Sequence, residues 1–425
     1  MLTLTNARLF DGHKMLGGRH SVALDGTTIA AIDGSIGQGD EVVDLDGMTL
    51  MPGLITGHFH ADFFRFTVED GMNGIQLGKE LPPGVMMAIG VRNCGVLLDS
   101  GFTGYIGAAC TNQVDACLKI AIAEGIIRGP RIRTCGHHIN TTADMNDSRK
   151  WWQRFTAPGT DIFADGVDDL RKLVREEIRC GAEIIKIFGS QGHGIPGRAS
   201  RNMSADETAM VVNTAHERGV KVRSHVCDRE MILESIELGV DLLDHADEID
   251  EQCIEAMVKH GTYWCPSVLV PEGWVRTGFD KDGTFARIIA NVKRMLPIAH
   301  AAGVPIVIGD DYSGMMRNML EDDPLDHQVG NYARELTYYA AAEGVSPAHV
   351  LTWATANPGR FLVDAPVRTG IIAAGAKADL IVVDGDPLAD LSLLARPETS
   401  LKAVIVDGAM MIDRLPVPRE KRSAA

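Results

Sequence analysis

The sequence predicts an α/β protein, a (β/α)8 barrel of the TIM type carrying a small discontinuous β-sandwich formed by its N- and C-terminal segments. Three observations predict it. Apolar runs at 49–55, 103–107, 131–135, 183–188, 221–224, 240–244, 262–265 and 304–308 alternate with stretches of helical periodicity, the pattern of repeated βα units on a parallel sheet. Eight such units close a barrel. Short strands punctuated by Asp-Gly turns mark both ends of the chain.

At the N-terminus, strand-like runs at 2–9, 21–24, 28–32 and 41–44 are separated by Asp11-Gly12, Asp25-Gly26, Asp33-Gly34 and Asp46-Gly47, each a turn signal. Residues 375–387 and 402–413 repeat this texture. Neither end has enough apolar surface to form a sandwich alone. The expectation is therefore one domain from 1–50 plus 366–425, and a catalytic barrel from 51–365. The polar tail from Pro416 is expected to fray. Within the barrel, Val167, Leu170, Leu173, Val174 and Ile178 share a helical face. Ser204-Ala-Asp-Glu207 reads as a capping box opening a helix to 218. The helix at 346–354 stops before Asn357-Pro358. Gly181, Gly219, Gly239, Gly261 and Gly303 each stand between a helix and the next strand, as a C′ glycine does.

Composition narrows the function. With 425 residues, 45% hydrophobic and 23% charged, the chain can bury a large core. A formal charge of −16 argues against nucleic acid or an anionic membrane as partner and says nothing about the substrate, which is expected to be a small molecule on other grounds. No apolar stretch reaches the roughly 18 residues a membrane helix needs. The N-terminal residues lack a basic region followed by an apolar one, so no secretory leader is expected. The eight cysteines are scattered without a CxxC pair, which suits reduced core residues in the cytoplasm.

Candidate chemistry sits at the ends of the apolar runs, where such a barrel collects its active site. His58 and His60 end the first run and, on a strand, face the same way. His225 and His245 close the fifth and sixth runs, and Asp310-Asp311 follows the eighth. Taken singly, each can be a structural group. Four histidines and an aspartate in this arrangement point to bound metal. Lys186 lies among Ile184, Ile185, Ile187 and Phe188, a costly place for an ammonium. It either pairs with Glu183 or a nearby Asp, or reacts as a neutral amine with carbon dioxide to give a carbamate able to bridge two cations. His137, His138 and His193 follow strand ends and are candidates to steady an oxyanion. In the glycine-rich loop 189–202, Arg198 or Arg201 could pair with a substrate carboxylate, and Tyr312 could line the pocket. Trp151-Trp152 begins a further loop at that rim.

The run Pro52-Gly-Leu-Ile-x-x-His58-x-His60, then Gly181-Ala-x-Ile-Ile-Lys186, Ser224-His225, His245-Ala, Gly309-Asp-Asp311, Ala354-Thr-x-Asn-Pro and Gly375-x-Lys-Ala-Asp379-Leu resembles the amidohydrolase superfamily. It is most similar to the binuclear branch that includes metal-dependent dipeptidases and ochratoxin-type amidases. The resemblance implies two divalent ions, Zn2+ in the first instance. His58, His60 and an Asp would hold one, and His225 and His245 the other, bridged by N6-carboxylated Lys186. It implies hydrolysis of an amide bond in a small molecule such as an N-acyl amino acid or dipeptide, with a metal-bridging hydroxide as nucleophile and Asp311 shuttling the proton. It also implies a homo-oligomer. Two departures stand out. Gly309-Asp310-Asp311 replaces the family's Gly-Thr-Asp, so Asp310 competes with Asp311. Cys135-Gly-His137-His138-Ile-Asn140 stands where dipeptidase relatives carry Gly-Gly-His. The alternatives are a cyclic-amide, carbamate or urea hydrolase, a deaminase (Asp228 stands where such enzymes carry Glu), and, in a different class, a non-catalytic metal-binding barrel.

Overall fold

The structure is a computed structural model that describes residues 1–37, 40–63, 81–147, 149–152, 159–194, 200–276, 278, 280–309, 311, 331–416 and 420–421. Asp310, Tyr312 and Arg198 lie outside the described residues.

The strands, in order, are β1 (Leu2–Leu9), β2 (His20–Asp25), β3 (Thr28–Ile32), β4 (Glu41–Asp44), β5 (Thr49–Pro52), β6 (Leu54–Phe59), β7 (Phe102–Gly107), β8 (Arg131–Arg133), β9 (Cys135–Asn140), β10 (Asp161–Phe163), β11 (Ile184–Phe188), β12 (Lys221–Val226), β13 (Leu242–His245), β14 (Tyr263–Cys265), β15 (Leu380–Val383), β16 (Leu401–Val406), β17 (Ala409–Asp413) and β18 (Glu420–Lys421). The two ends of the chain share one nine-stranded mixed sheet, ordered β17-β16-β15-β5-β1-β2-β3, with β4 on β1 and β18 on β4. The junction is the antiparallel pairing of β15 with β5, which sets Leu50 opposite Val382. Leu4, Val22, Ile29, Leu380 and Ile405 are packed into one core against this sheet.

The middle of the chain forms two parallel sheets, β6-β7-β8 and β10-β9-β11-β12-β13-β14. Cys110 N donates to Gly136 O at 2.8 Å, linking the segment after β7 to β9. Residues 304–308 make a parallel bridge from Ile306 to Trp264. There, Val307 N donates to Trp264 O at 2.8 Å and Gly57 N donates to Ile308 O at 2.6 Å. That segment therefore lies between β14 and β6. Because the strands are parallel, their C-terminal ends face one way and carry His58, His138, Lys186, His225 and His245 together.

Local signals account for the helices. Val167–Arg179 buries Leu170 and Val174 from its apolar face. Ala205–His216 opens on the expected Ser204–Glu207 capping box. Pro347–Trp353 is capped by Ser346, with His349 in the reciprocal position. Gly261 and Gly303 end their helices at φ 72° and 93°, a conformation that costs any residue with a Cβ.

Two strand boundaries differ from expectation. The apolar run 49–55 is not one strand: Thr49–Pro52 joins the terminal sheet and Leu54–Phe59 the parallel one. Gly53 makes the crossing because a Cβ there would fall 2.1 Å from Thr103 Oγ1. The run 131–135 is likewise divided, and His137 and His138, expected just beyond a strand end, lie within the strand β9 (Cys135–Asn140), paired with β10 and β11. Its polar side chains hid it, although all six residues are buried. Gly53→Ala should lower stability by about 1–3 kcal/mol through overpacking, read as an earlier denaturant midpoint. Gly84→Ala, where a Cβ meets nothing within 4 Å, serves as the control and should stay within about 1 kcal/mol of wild type.

Candidate metal centre

The strand ends enclose a pocket of about 240 Å³ lined by His58, His60, His138, Lys186, His193, His225, His245 and Asp311. All six residues expected as ligands are brought there. Phe63, Met145, Phe188, Trp274 and Phe285 form its apolar wall.

The donor set is tightest around three atoms. His58 Nε2 lies 3.2 Å from His60 Nε2. Both face Asp311 Oδ1, at 3.2 and 3.1 Å. Tetrahedral ligands at bond lengths of 2.0–2.2 Å stand about 3.3–3.6 Å apart, so a small widening of this trio is all that separates it from a coordination shell. Two imidazole nitrogens aimed at each other across one carboxylate oxygen make poor sense without a shared cation. The donors therefore fit a divalent ion.

Hydrogen bonds on the far side of each ring select the nitrogen that faces the pocket. His60 Nδ1 donates to Ala109 O at 3.0 Å, and His245 Nδ1 meets Ser267 Oγ at 2.7 Å, leaving Nε2 on both. His225 is reversed: Nε2 is taken by Gln191 O at 3.3 Å, leaving Nδ1. Burial pushes the His60 pKa down to about 4, with Asp311 only partly opposing it. Burial also drives His138, His225 and His245 well below the usual histidine range. These rings are neutral at pH 7, the form that binds metal. Desolvation alone would raise Asp311, but His58 and His60 outweigh it and hold the carboxylate ionised. Asp311, His245 and Ala246 have φ of 49°, 66° and 53°. Such left-handed backbone in residues other than glycine is typical of sites held in place by their surroundings.

Lys186 is buried, and its ammonium lies 2.5 Å from Asp244 Oδ2. Glu183, the other partner considered, pairs with Lys119 instead. Asp244 also receives a two-pronged bond from Arg223 and stands 3.2 Å from His58 Nδ1. Arg223 Nη1 then donates to Gly57 O at 2.9 Å and Gly107 O at 2.8 Å. Burial would raise the Asp244 pKa, but Arg223, Lys186 and His58 together hold it well below the ordinary range. The sequence reading missed both Arg223 and Asp244. The signal that singled out Lys186, a charge inside an apolar run, was present at each.

Other expected site residues divide. His138 lines the pocket with Nδ1 on Asp161 Oδ1 at 3.0 Å. The same oxygen accepts Asn140 and Asn146 amides, so His138 is the donor there and turns a bare Nε2 inward. His193 lines the pocket with Nδ1 on Asp247 Oδ2 at 2.7 Å. His137, expected at the substrate, faces away: its strand neighbour takes the inner side, and its Nδ1 meets Glu177 Oε1 at 2.9 Å. Arg201, expected to hold a carboxylate, is occupied by a two-pronged pair with Glu234 outside the pocket lining. Asp228 caps the helix Arg229–Glu237 by accepting from Glu230 N and Met231 N. Trp151 and Trp152 are exposed.

Neutral histidines and a carboxylate gathered at the C-terminal ends of parallel strands make a donor set suited to a divalent ion. The chain belongs to the amidohydrolase family, which matches residues 49–411. Among its relatives, it is 26% identical over 380 residues to ochratoxinase of Aspergillus niger, spanning 82% of this chain and 73% of that protein. Its fold superposes on a prolidase complexed with N-methylphosphonate-L-proline at a TM-score of 0.82, with 25% identity, covering 97% of this chain and 99% of that one. It also shares the fold of a molinate hydrolase, at a TM-score of 0.77 and 19% identity over 96% and 94% of the two chains.

Arg223→Met leaves Asp244 with one cation fewer in a fully buried site. It should cost about 3–5 kcal/mol in chemical denaturation. Adding Asp244→Asn to that variant should restore part of the loss, because the unpaired charge is then gone. A cost equal to the sum of the two single variants would show the pair to be uncoupled.

Proposed function

We propose that the protein hydrolyses an amide C–N bond in a small, partly apolar molecule such as an N-acyl amino acid or dipeptide, using two divalent ions, Zn2+ in the first instance. The convergence of His58, His60 and Asp311 on one point carries this reading. Kinship with ochratoxinase and a prolidase supports the amide bond as target. The parallel strands β6, β7, the β8–β9 pair, β11, β12, β13, β14 and residues 304–308 make one (β/α)8 barrel over 51–365. The bonds from Gly57 to Ile308 and from Val307 to Trp264 support its closure. Residues 1–50 and 366–425 form the second, sandwich domain. Among the described residues no helix is long and apolar enough to cross a membrane. A cytoplasmic homo-oligomer completes the proposal.

His58, His60 and Asp311 would hold one ion, and His225 Nδ1 and His245 Nε2 the other. Lys186, once released from Asp244 and carboxylated, would reach both. Bound there, the ions polarise the scissile carbonyl and lower the pKa of water to near neutrality. Asp311, kept ionised by its two histidines, accepts the proton of the attacking water and returns it to the leaving amine. His138 presents a lone pair, so it is a second proton acceptor and meets an oxyanion as a donor only after gaining that proton. Phe63, Trp274 and Phe285 supply the wall for the substrate's apolar part and exclude water from the histidines. Arg201 is engaged with Glu234, so a substrate carboxylate is recognised by another group.

A panel of N-acyl amino acids, dipeptides, lactams, carbamates and ureas, with protein prepared in zinc and bicarbonate, tests the reading. Amide turnover with about two ions per chain is expected. Asp311→Asn should cut kcat by about 10²–10⁴-fold, and Lys186→Ala should lose both metal and most activity. Ammonia release from a purine or pyrimidine without amide turnover would replace this reading with a deaminase. Less than half an ion per wild-type chain would overturn the binuclear scheme.

A further inference from the structure

Three loops that follow successive strands bring together a second donor set, separate from the six residues assigned above. Cys227 comes directly after β12, Asp247 follows β13, and His193 lies in the loop after β11. Cys227 and Asp247 are each 2% exposed. Cys227 Sγ lies 3.6 Å from His193 Nδ1, and Asp247 Oδ2 lies 2.7 Å from the same nitrogen. The three donor atoms lie within 4.8 Å of one another. Around a tetrahedral zinc with its usual bonds to sulfur and nitrogen, those two ligands stand about 3.5 Å apart. The sulfur-to-nitrogen edge already has about that length, and the nitrogen-to-oxygen edge of 2.7 Å would open by about 0.6 Å.

Two further observations point to a ligand. Asp247 Oδ1 is buried and accepts no hydrogen bond, an unsatisfied anionic oxygen that burial makes costly. Cys227 and Asp247 also line a cavity of about 450 Å³. That cavity carries Asp228, Glu248 and Asp250 against Arg287 and Arg294. Its excess of carboxylate favours a cation. His193 lines the histidine pocket and its two companions line the cavity, so the trio stands between them. The backbone is set for this: Cys227 N donates to Ser190 Oγ at 2.8 Å, and Asp247 O accepts from Asn291 Nδ2 at 2.8 Å.

We propose that His193, Cys227 and Asp247 form a third cation site, a nitrogen–sulfur–oxygen set that suits Zn2+, beside the histidine pocket. Nitrogen and thiolate ligands favour zinc or cobalt over calcium and magnesium. Binding releases one proton, that of the Cys227 thiol; the Nδ1 proton of His193 passes to solvent while Nε2 takes one up, so the ring stays neutral. The second neutral tautomer of His193 then carries its proton on Nε2. The ion would thus convert His193 from a lone-pair bearer into a hydrogen-bond donor at the pocket. No residue of the proposed binuclear centre is shared, so the two assignments stand or fall separately.

Cobalt gives the test, because the proposed binuclear centre offers it only nitrogen and oxygen. Cobalt-loaded wild-type protein should show a sulfur-to-cobalt charge-transfer band in the near ultraviolet, and Cys227→Ser should abolish it. By metal analysis that variant should carry about one ion fewer per chain than wild type. Asp247→Asn, which keeps the thiol, should keep the band but require at least about tenfold more free cobalt to develop it. Lys186→Ala should leave the band in place while removing metal from the other centre. A fully cobalt-loaded wild type without the band, a band that survives in Cys227→Ser, or equal metal content in those two proteins would overturn the proposal.

Discussion

Asp244 is the group on which the site depends. It is fully buried, and it binds side chains from three other strands: Arg223 on β12, Lys186 on β11 and His58 on β6. An isolated carboxylate in that position would cost several kcal/mol, and the two cations repay it only by holding their geometry. Arg223 extends the same network to the carbonyls of Gly57 on β6 and Gly107 on β7. Charge therefore ties together strands that are distant in sequence, just below the pocket floor. The ring of His58 is fixed by that network on one side and faces Asp311 on the other. Carboxylation of Lys186, as proposed, turns a cation beside Asp244 into an anion. Arg223 alone then balances Asp244, and cations in the pocket must balance the carbamate. Metal and carbamate are for that reason expected to come and go together.

Much of this architecture was legible because periodicity survives tertiary context. Leu170 and Val174 had to be buried, Ser204 and Glu207 had to cap, and His58 and His60 had to share a side of one strand. What was not legible depended on partners far along the chain. Nothing in 49–55 reveals that the chain changes sheets at Gly53; only Thr103, lying against it, makes the residue intelligible. His137 and His138 are adjacent, and which of them faces the pocket follows from the register of β9 against β11, where Lys186 lies opposite His138. Arg201 looked available for a substrate because its partner, Glu234, is 33 residues away. Arg223 and Asp244 were passed over because a charge in an apolar run reads as an interruption until its counter-charge is known.

The pocket histidines show how the surroundings choose chemistry. Each ring has two nitrogens, and the group behind it decides which one is presented. A backbone carbonyl behind His60 and a hydroxyl behind His245 leave Nε2; a carbonyl at the other nitrogen of His225 leaves Nδ1. His138 and His193 have carboxylates behind them instead. A carboxylate accepts the Nδ1 proton firmly and leaves the inner nitrogen more basic than a carbonyl would. A carboxylate also stands behind His58, whose Nδ1 lies 3.2 Å from Asp244 Oδ1, so both kinds of backing serve rings that could hold ions.

Aromatic packing completes the surroundings of these rings. Phe63 stacks on His60 with ring centres 4.0 Å apart, and Phe188 lies against His225 at 4.8 Å. Trp274 meets His193 edge-on at 5.5 Å. These rings remove water from the imidazoles, and desolvation is the first cause of the depressed pKa values of His60 and His225. The same rings are the apolar wall a substrate would touch. Replacing one with a polar residue would therefore act twice, by loosening the substrate's apolar contact and by letting the neighbouring histidine take a proton at higher pH. Substrate preference and metal affinity share these side chains, which limits how far the pocket can be reshaped for a more polar substrate while its histidines remain neutral.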